Sequence, residues 1–195
     1  MSKGETTRAA ILDEALGLTA QTGLEALTIG TLSERAGLSK SGLYAHFGSK
    51  EMLQIAVLDH AAERLRDAVI LPAMARPRGL ERLKTLFANW LGWKEAAGLA
   101  GCPFNAAAAD FKHRPGPVHD HLSGQMNEML GFYMKAIGHA IEAGELKAET
   151  DPGQMAFDLW SIILGYEQFA HMLKRPDARA NAMKAFETLI DRNKS

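Results

Sequence analysis

Apolar residues return every three or four positions along most of the chain, and no stretch alternates apolar and polar long enough to make a strand. Ile11, Leu12, Ala15, Leu16 and Ala20 mark one face of a first helix that Gly23 can end. Thr28 and Ser39 are suited to cap two short helices over 28–36 and 39–47, with Gly37 between them. Ser49 can cap a longer helix, 49–71, which Pro72 is expected to stop. The stretch "PAMARPRG" (72–79), with its prolines and glycine, reads as a linker. Beyond it, Leu80, Leu83, Phe87, Trp90 and Leu91 trace a helix over 80–97, and a short helix fits 103–111. Val118, Leu122, Met126, Met129, Leu130, Tyr133, Ile137 and Ile141 stripe a long helix over 118–143 that Gly144 ends, and Pro152 and Pro176 can open two last helices. The pattern predicts an all-α chain of about nine helices. A small N-terminal domain (1–50) precedes a larger helical one (51–195), with helix 49–71 connecting the two.

The segment "LSERAGLSKSGLYAHFGSKEML" (32–53) interrupts this regularity with small and polar residues. Helices 28–36 and 39–47 are separated by a glycine-containing turn too short for antiparallel packing, so they must cross steeply as a helix-turn-helix. Leu32 and Ala36, with Leu38, Leu43 and Phe47, can form the small core that fixes the crossing. That leaves Lys40, Ser41, Gly42, Tyr44 and His46 on the open side, where the second helix of such a motif meets base edges in the major groove. The small residues Ser41 and Gly42 allow close backbone approach to DNA. Thr28, Arg35, Ser39, Lys40, Tyr44, His46 and Lys50 are the candidates around it for contacts to the DNA backbone, together with amides at the capped helix starts.

The stretch "LTIGTLSERAGLSKSGLYAHFGSKEML" (27–53) also resembles the DNA-binding signature of the TetR-type, tetracycline-repressor-like transcriptional regulators. The match takes in the first-helix segment 8–24, the turn Ala36-Gly37-Leu38-Ser39, the spacing of Tyr44 and Phe47, and Ser49-Lys50-Glu51. It covers about the first quarter of the chain, and the remainder is similar in layout. The resemblance implies a ligand-binding and dimerisation domain after the helix-turn-helix. It also implies a homodimer, usually a repressor, that binds a palindromic operator and lets go when a small molecule enters the C-terminal domain. By position it makes Ser41, Gly42 and Tyr44 groove-facing and Lys50 a phosphate contact.

Residues 155–173 are apolar nearly all round and should be covered on both sides, one of them by a partner chain. Ala178, Ala182, Ala185, Phe186 and Leu189 add a stripe on the last helix, so a dimer through 153–174 and 177–191 is expected. Ligand discrimination should lie among the helices 80–97, 103–111, 118–143 and 153–173. The candidates are Phe87, Trp90, Trp93, Phe104, Asn105, Phe111, Gln125, Met126, Met129, Phe132, Tyr133 and Trp160, and the effector should be largely apolar.

Other chemistries find less support. Cys102 stands at an N-cap position before Pro103, where a thiol can gain reactivity, so a redox- or electrophile-sensing regulator is the alternative. A DNA-binding protein with no ligand is another. His113, His119 and His121 lie close in sequence, but residues two apart on a helix point away from each other, and no metal is expected. With no Gly-rich phosphate loop, nucleophile elbow or HExxH pattern, the chain reads as a non-enzyme with no catalytic residues and no cofactor.

Composition adds few constraints. At a net charge of −1 there is no global basic field, so any case for nucleic acid must be local. A single cysteine cannot form an intrachain disulfide and fits a reducing compartment. The first residues lack the apolar core of a signal peptide, and Asp158, Glu167 and Gln168 argue against a membrane span at 155–173, so a cytoplasmic protein with no membrane partner is expected.

Overall fold

The structure, a computed structural model, describes residues 3–195. In chain order the helices are α1 (Lys3–Thr22), α2 (Ile29–Ala36), α3 (Lys40–Phe47), α4 (Lys50–Leu65), α5 (Leu71–Met74), α6 (Leu80–Trp90) and α7 (Trp93–Ala96). They continue with α8 (Pro103–Phe111), α9 (Pro117–Glu142), α10 (Pro152–Glu167) and α11 (Ala178–Asn193). π-Helical turns, Arg66–Ile70 and Gln168–Met172, follow α4 and α10. Among the described residues there is no strand, only an isolated bridge between Leu146 and Lys194. Joining α4 to α5 and α6 to α7 leaves nine helices among the described residues, the number expected.

Two interruptions depart from the apolar pattern. The helix expected to stop at Pro72 carries on to Met74, because the π-helical turn ahead of it re-registers the backbone ladder. Pro72 thereby falls in the first turn of α5, where its missing N–H is not needed. The helix expected over 80–97 breaks at Leu91 and Gly92 instead. The Leu91 carbonyl, which would continue the ladder, accepts the Tyr166 hydroxyl at 3.0 Å, and glycine is a poor helix former.

The chain forms two compact units, and neither matches a cut at residue 50. One holds the residues through Leu65 together with Ala97–Gln125; the other holds Arg66–Ala96 and Met126–Ser195. The chain thus passes between them at three places, and the helix following Ser49 is one connection of three.

In the first unit α1 packs on α2, α4 and α8, and α3 closes against α2 and α4. Its core is the apolar face of α1 (Ile11, Leu12, Ala15, Leu16) with Leu24, Leu27, Leu32, Leu43, Leu53 and Val57, all buried. Asp13 accepts from His60 Nε2 at 2.8 Å and Arg64 Nη1 at 2.9 Å, which ties α1 to α4 at the surface. In the second unit α10 packs along α11. Phe87 stacks on Phe186 at 4.1 Å between ring centres. Of the stripe on the last helix, Ala178, Ala182, Phe186 and Leu189 are buried within their own unit, while Ala185 is exposed.

Candidate nucleic-acid interface

The two helices of the motif are set by their caps. Thr28 has extended backbone and a reciprocal capping box with Thr31, each backbone N–H donating to the other's hydroxyl at 3.0 Å. Gly37 ends α2 at φ 65°, a left-handed conformation that favours glycine, and the Leu38 N–H donates to the Ser33 carbonyl at 3.1 Å. Ser39 then starts α3 by accepting from the Gly42 N–H at 3.1 Å. Three residues, Gly37 to Ser39, thus end one helix and start the next, so the pair must cross steeply.

Leu43 and Phe47 face inward from α3 with Leu32 of α2 beneath them, as expected, whereas Leu38 is exposed and Ala36 half-buried. The difference has a simple cause: Leu38 lies in the turn itself, where the left-handed Gly37 directs the chain outward. With about 100° between successive residues of a helix, Ser41, Gly42 and Ala45 lie opposite Leu43 and Phe47, and Tyr44 and His46 flank them on either side. Lys40, Ser41, Tyr44, Ala45 and His46 are exposed, and Gly42 is half-buried. Ala45 belongs to this face although the residue-by-residue reading passed over it; its helical spacing from Ser41 was the available signal.

The surrounding candidates differ in availability. Lys40 is exposed, while Arg35 makes a long surface ion pair with Glu14 at 3.7 Å, worth little energetically. The Thr28 and Ser39 hydroxyls are used in their caps, and Ser39 also bonds the Ser41 hydroxyl at 3.2 Å. Lys50 is half-buried, with its Nζ on the Glu25 carbonyl at 2.8 Å and on the Glu25 carboxylate at 3.1 Å.

The ligand candidates separate between the units. Phe104, Asn105, Phe111 and Gln125 fall in the first; Phe87, Trp90, Trp93, Met126, Met129, Phe132, Tyr133 and Trp160 fall in the second. Trp90 meets Trp160 at 5.3 Å and Trp93 at 6.5 Å, centre to centre. Trp90 Nε1 and the Tyr133 hydroxyl are buried without a hydrogen bond, and burial pushes the Tyr133 phenol well above its ordinary pKa. Phe87 is fixed in the core by its stack on Phe186, while Met126 and Met129 are half-buried and Phe132 is exposed. Cys102 is buried, so its thiol is withdrawn from solvent. His119 pairs with Asp120, and His121 with Asp59 at 2.7 Å. Among the described residues no three His, Cys, Asp or Glu side chains converge as a metal site.

An all-helical chain whose first unit carries a capped helix-turn-helix with an open, small-residue face defines the class: a helix-turn-helix protein of the DNA-binding type. The family follows from comparison. Residues 11–57 match the family model for bacterial regulatory proteins of the tetR family, and residues 79–186 match the tetracyclin repressor-like C-terminal domain. The chain belongs to the TetR family of DNA-binding transcriptional regulators. It is 28% identical over 170 residues to the HTH-type transcriptional regulator RutR of Escherichia coli K12, covering 83% of this chain and 74% of that one. Among solved structures, a TetR transcriptional regulator from Chloroflexus aurantiacus superposes with a TM-score of 0.85 at 22% identity, covering 98% of this chain and 96% of that one. AibR, solved with isovaleryl coenzyme A and operator DNA, superposes with a TM-score of 0.70 at 18% identity, covering 96% and 97%. No helix among the described residues is long and apolar enough to cross a membrane.

Proposed function

We propose that this regulator binds a palindromic operator as a homodimer in the cytoplasm, represses there, and is released by a largely apolar small molecule held in its C-terminal domain. The observation that carries the reading is the face of α3: Ser41, Gly42 and Ala45 keep it low enough for the helix to enter a major groove, and Lys40, Tyr44 and His46 stand beside them to meet phosphates.

The homodimer draws support from α10 and the turn after it. Phe157 and Leu164, seven residues apart on one face, are exposed, and Phe169, Met172 and Leu173 continue as exposed apolar side chains. Phe157 at 66% and Met172 at 76% exposure are costly to leave in water, and a second copy of the same face would cover them. The ligand reading draws support from Trp90 Nε1 and the Tyr133 hydroxyl. Buried donors without partners cost stability, and a ligand's acceptor atoms would satisfy them. AibR, of similar fold, carries both an acyl-coenzyme A and operator DNA.

Release then works as a population shift. Ligand favours a dimer whose α3 helices no longer match half-sites about 34 Å apart, and DNA favours the other arrangement. Fluorescence anisotropy with DNA from upstream of the protein's own gene, at two salt concentrations and with a panel of apolar compounds, tests this. Salt-sensitive binding that one compound relieves is the expected result; binding that none of a broad panel relieves favours a regulator without a ligand.

A further inference from the structure

The turn between α1 and α2 carries a group of charges that the face of α3 does not use. One carboxylate oxygen of Glu25, Oε1, lies 3.1 Å from Lys50 Nζ and 3.3 Å from Arg114 Nη1. Lys50 opens α4, and Arg114 lies between α8 and α9, both in the first compact unit. The turn is held from two further sides. Asp110 accepts the Glu25 backbone N–H at 2.9 Å, and the buried Gln54 amide donates to the Leu24 carbonyl at 2.9 Å. The Lys50 hydrogen bond, then the charges of Lys50 and Arg114, hold the Glu25 carboxyl below its usual pKa, so it is an anion at neutral pH. The three side chains remain 37%, 41% and 58% exposed for Lys50, Glu25 and Arg114. They border an open cleft of about 300 Å³ that His119 and Gln54 also line.

An ammonium and a guanidinium converging on a single anionic oxygen is the arrangement that binds a phosphate oxygen. A phosphodiester carries the same single negative charge as the carboxylate, so exchanging one for the other leaves the net charge of the group unchanged. We infer that Arg114 is a second phosphate-binding residue beside Lys50, and that the Glu25 carboxylate occupies, in the absence of DNA, the position a backbone phosphate takes between them. The inference rests on the reading of the chain as a DNA-binding protein through α3. It assigns Glu25 a definite effect on affinity: each protomer must exchange an internal anion for the external one, which weakens binding and makes it easier to reverse.

Sequence-independent phosphate contacts register on any duplex, so a random-sequence duplex of about 30 base pairs is a sufficient probe. Anisotropy titrations of the wild type, Arg114→Gln, Arg114→Lys and Glu25→Gln between about 50 and 200 mM salt decide the matter. Each lost phosphate contact lowers the slope of log affinity against log salt by about 0.9. Arg114→Gln is expected to bind more weakly with a slope reduced by about 0.9 per protomer, so its deficit shrinks roughly 3.5-fold per protomer across that fourfold salt range. Arg114→Lys, which keeps the charge, should retain the wild-type slope. Glu25→Gln should bind several-fold more tightly than the wild type at the lower salt. Thermal melting of each variant separates loss of contact from loss of fold, and if Arg114→Gln does not fold, Glu25→Gln alone decides. A wild-type slope for folded Arg114→Gln, or unchanged affinity for Glu25→Gln, overturns the inference while leaving α3 as the reader of DNA. No duplex binding by the wild type even at the lower salt overturns that reading itself, and the inference with it.

Discussion

Lys94 and Glu167 offer the sharpest test of the packing described above. Lys94 Nζ lies 2.6 and 2.7 Å from the two carboxylate oxygens of Glu167, with only 1% and 9% of the two side chains exposed. The same ammonium donates to His171 Nε2, which must therefore accept, and stands 5.7 Å from the centre of the Tyr166 ring. Glu167→Gln removes the counter-charge and leaves an ammonium with almost no access to water. Breaking one side of such a pair costs about 3–5 kcal/mol, because the remaining charge stays buried and uncompensated. In a chain of this length each kcal/mol is about 2–4 °C in Tm, so the variant should melt roughly 6–20 °C lower. Replacing both partners with methionine removes the two charges together and should leave stability within about 1 kcal/mol of the wild type, or above it. Urea unfolding at one fixed protein concentration measures all three, since association would otherwise shift the midpoints. A cost below about 1 kcal/mol for Glu167→Gln would mean that the Lys94 ammonium is hydrated rather than buried. Glu167 is also the last residue of α10 before the π-helical turn that presents Phe169 and Met172, so the same substitution should weaken self-association.

Three other outcomes follow from the geometry. Gly37→Ala places a side chain at φ 65° with nothing within 4 Å of the new carbon, so the cost is backbone strain alone, about 1–2 kcal/mol, seen as a lower Tm; an unchanged Tm would show that the turn does not need a left-handed residue. Phe157→Glu puts a charge in the exposed apolar face of α10 and should yield monomers by light scattering with helix content unchanged; a persistent dimer would place the interface elsewhere. Because the Glu25 pKa is lowered in the fold, the Glu25–Lys50 contact is fully stabilising above the ordinary glutamate value of about 4.3, and that contribution is lost as pH falls through the lowered one. NMR titration of the Glu25 carboxyl should give a midpoint below that of an unfolded peptide, and a midpoint at or above it would show the contact absent in solution.

What could be read from the chain alone was what neighbouring residues decide. Thr28, Gly37 and Ser39 announce the two short helices because capping and left-handed turns act within three or four residues. Pro103 and Pro152 open helices at the places their chemistry allows, and the apolar stripe of α9 matches its extent. The same locality explains what was not legible. Glu25 and Arg114 are far apart in the chain, as are Lys94 and Glu167, and no periodicity links a carboxylate to a cation brought in by tertiary packing. Lys50 was readable as a basic residue at a helix start, whereas its engagement with Glu25 was not. The π-helical turn before Pro72 and the break at Gly92 depend on backbone re-registration and on Tyr166 reaching the Leu91 carbonyl, both imposed from outside the segment. On the last helix the apolar stripe says that a face is buried but not by what: Phe87 covers Phe186, while Ala185 of the same stripe is exposed.

The claim on which the rest depends is that α3 reads DNA with the face opposite Leu43 and Phe47. Ala45 lies at the middle of that face, is exposed, and takes no part in the core, so Ala45→Glu changes the surface without disturbing the fold. Anisotropy titration of the wild type and Ala45→Glu against the DNA upstream of the gene, beside a thermal melt of both, is the most direct measurement. Salt-sensitive binding by the wild type, binding lost in Ala45→Glu, and the same Tm for both are the expected results. Equal binding by the two proteins would contradict the claim, because a carboxylate cannot sit in the middle of a groove-facing helix without cost.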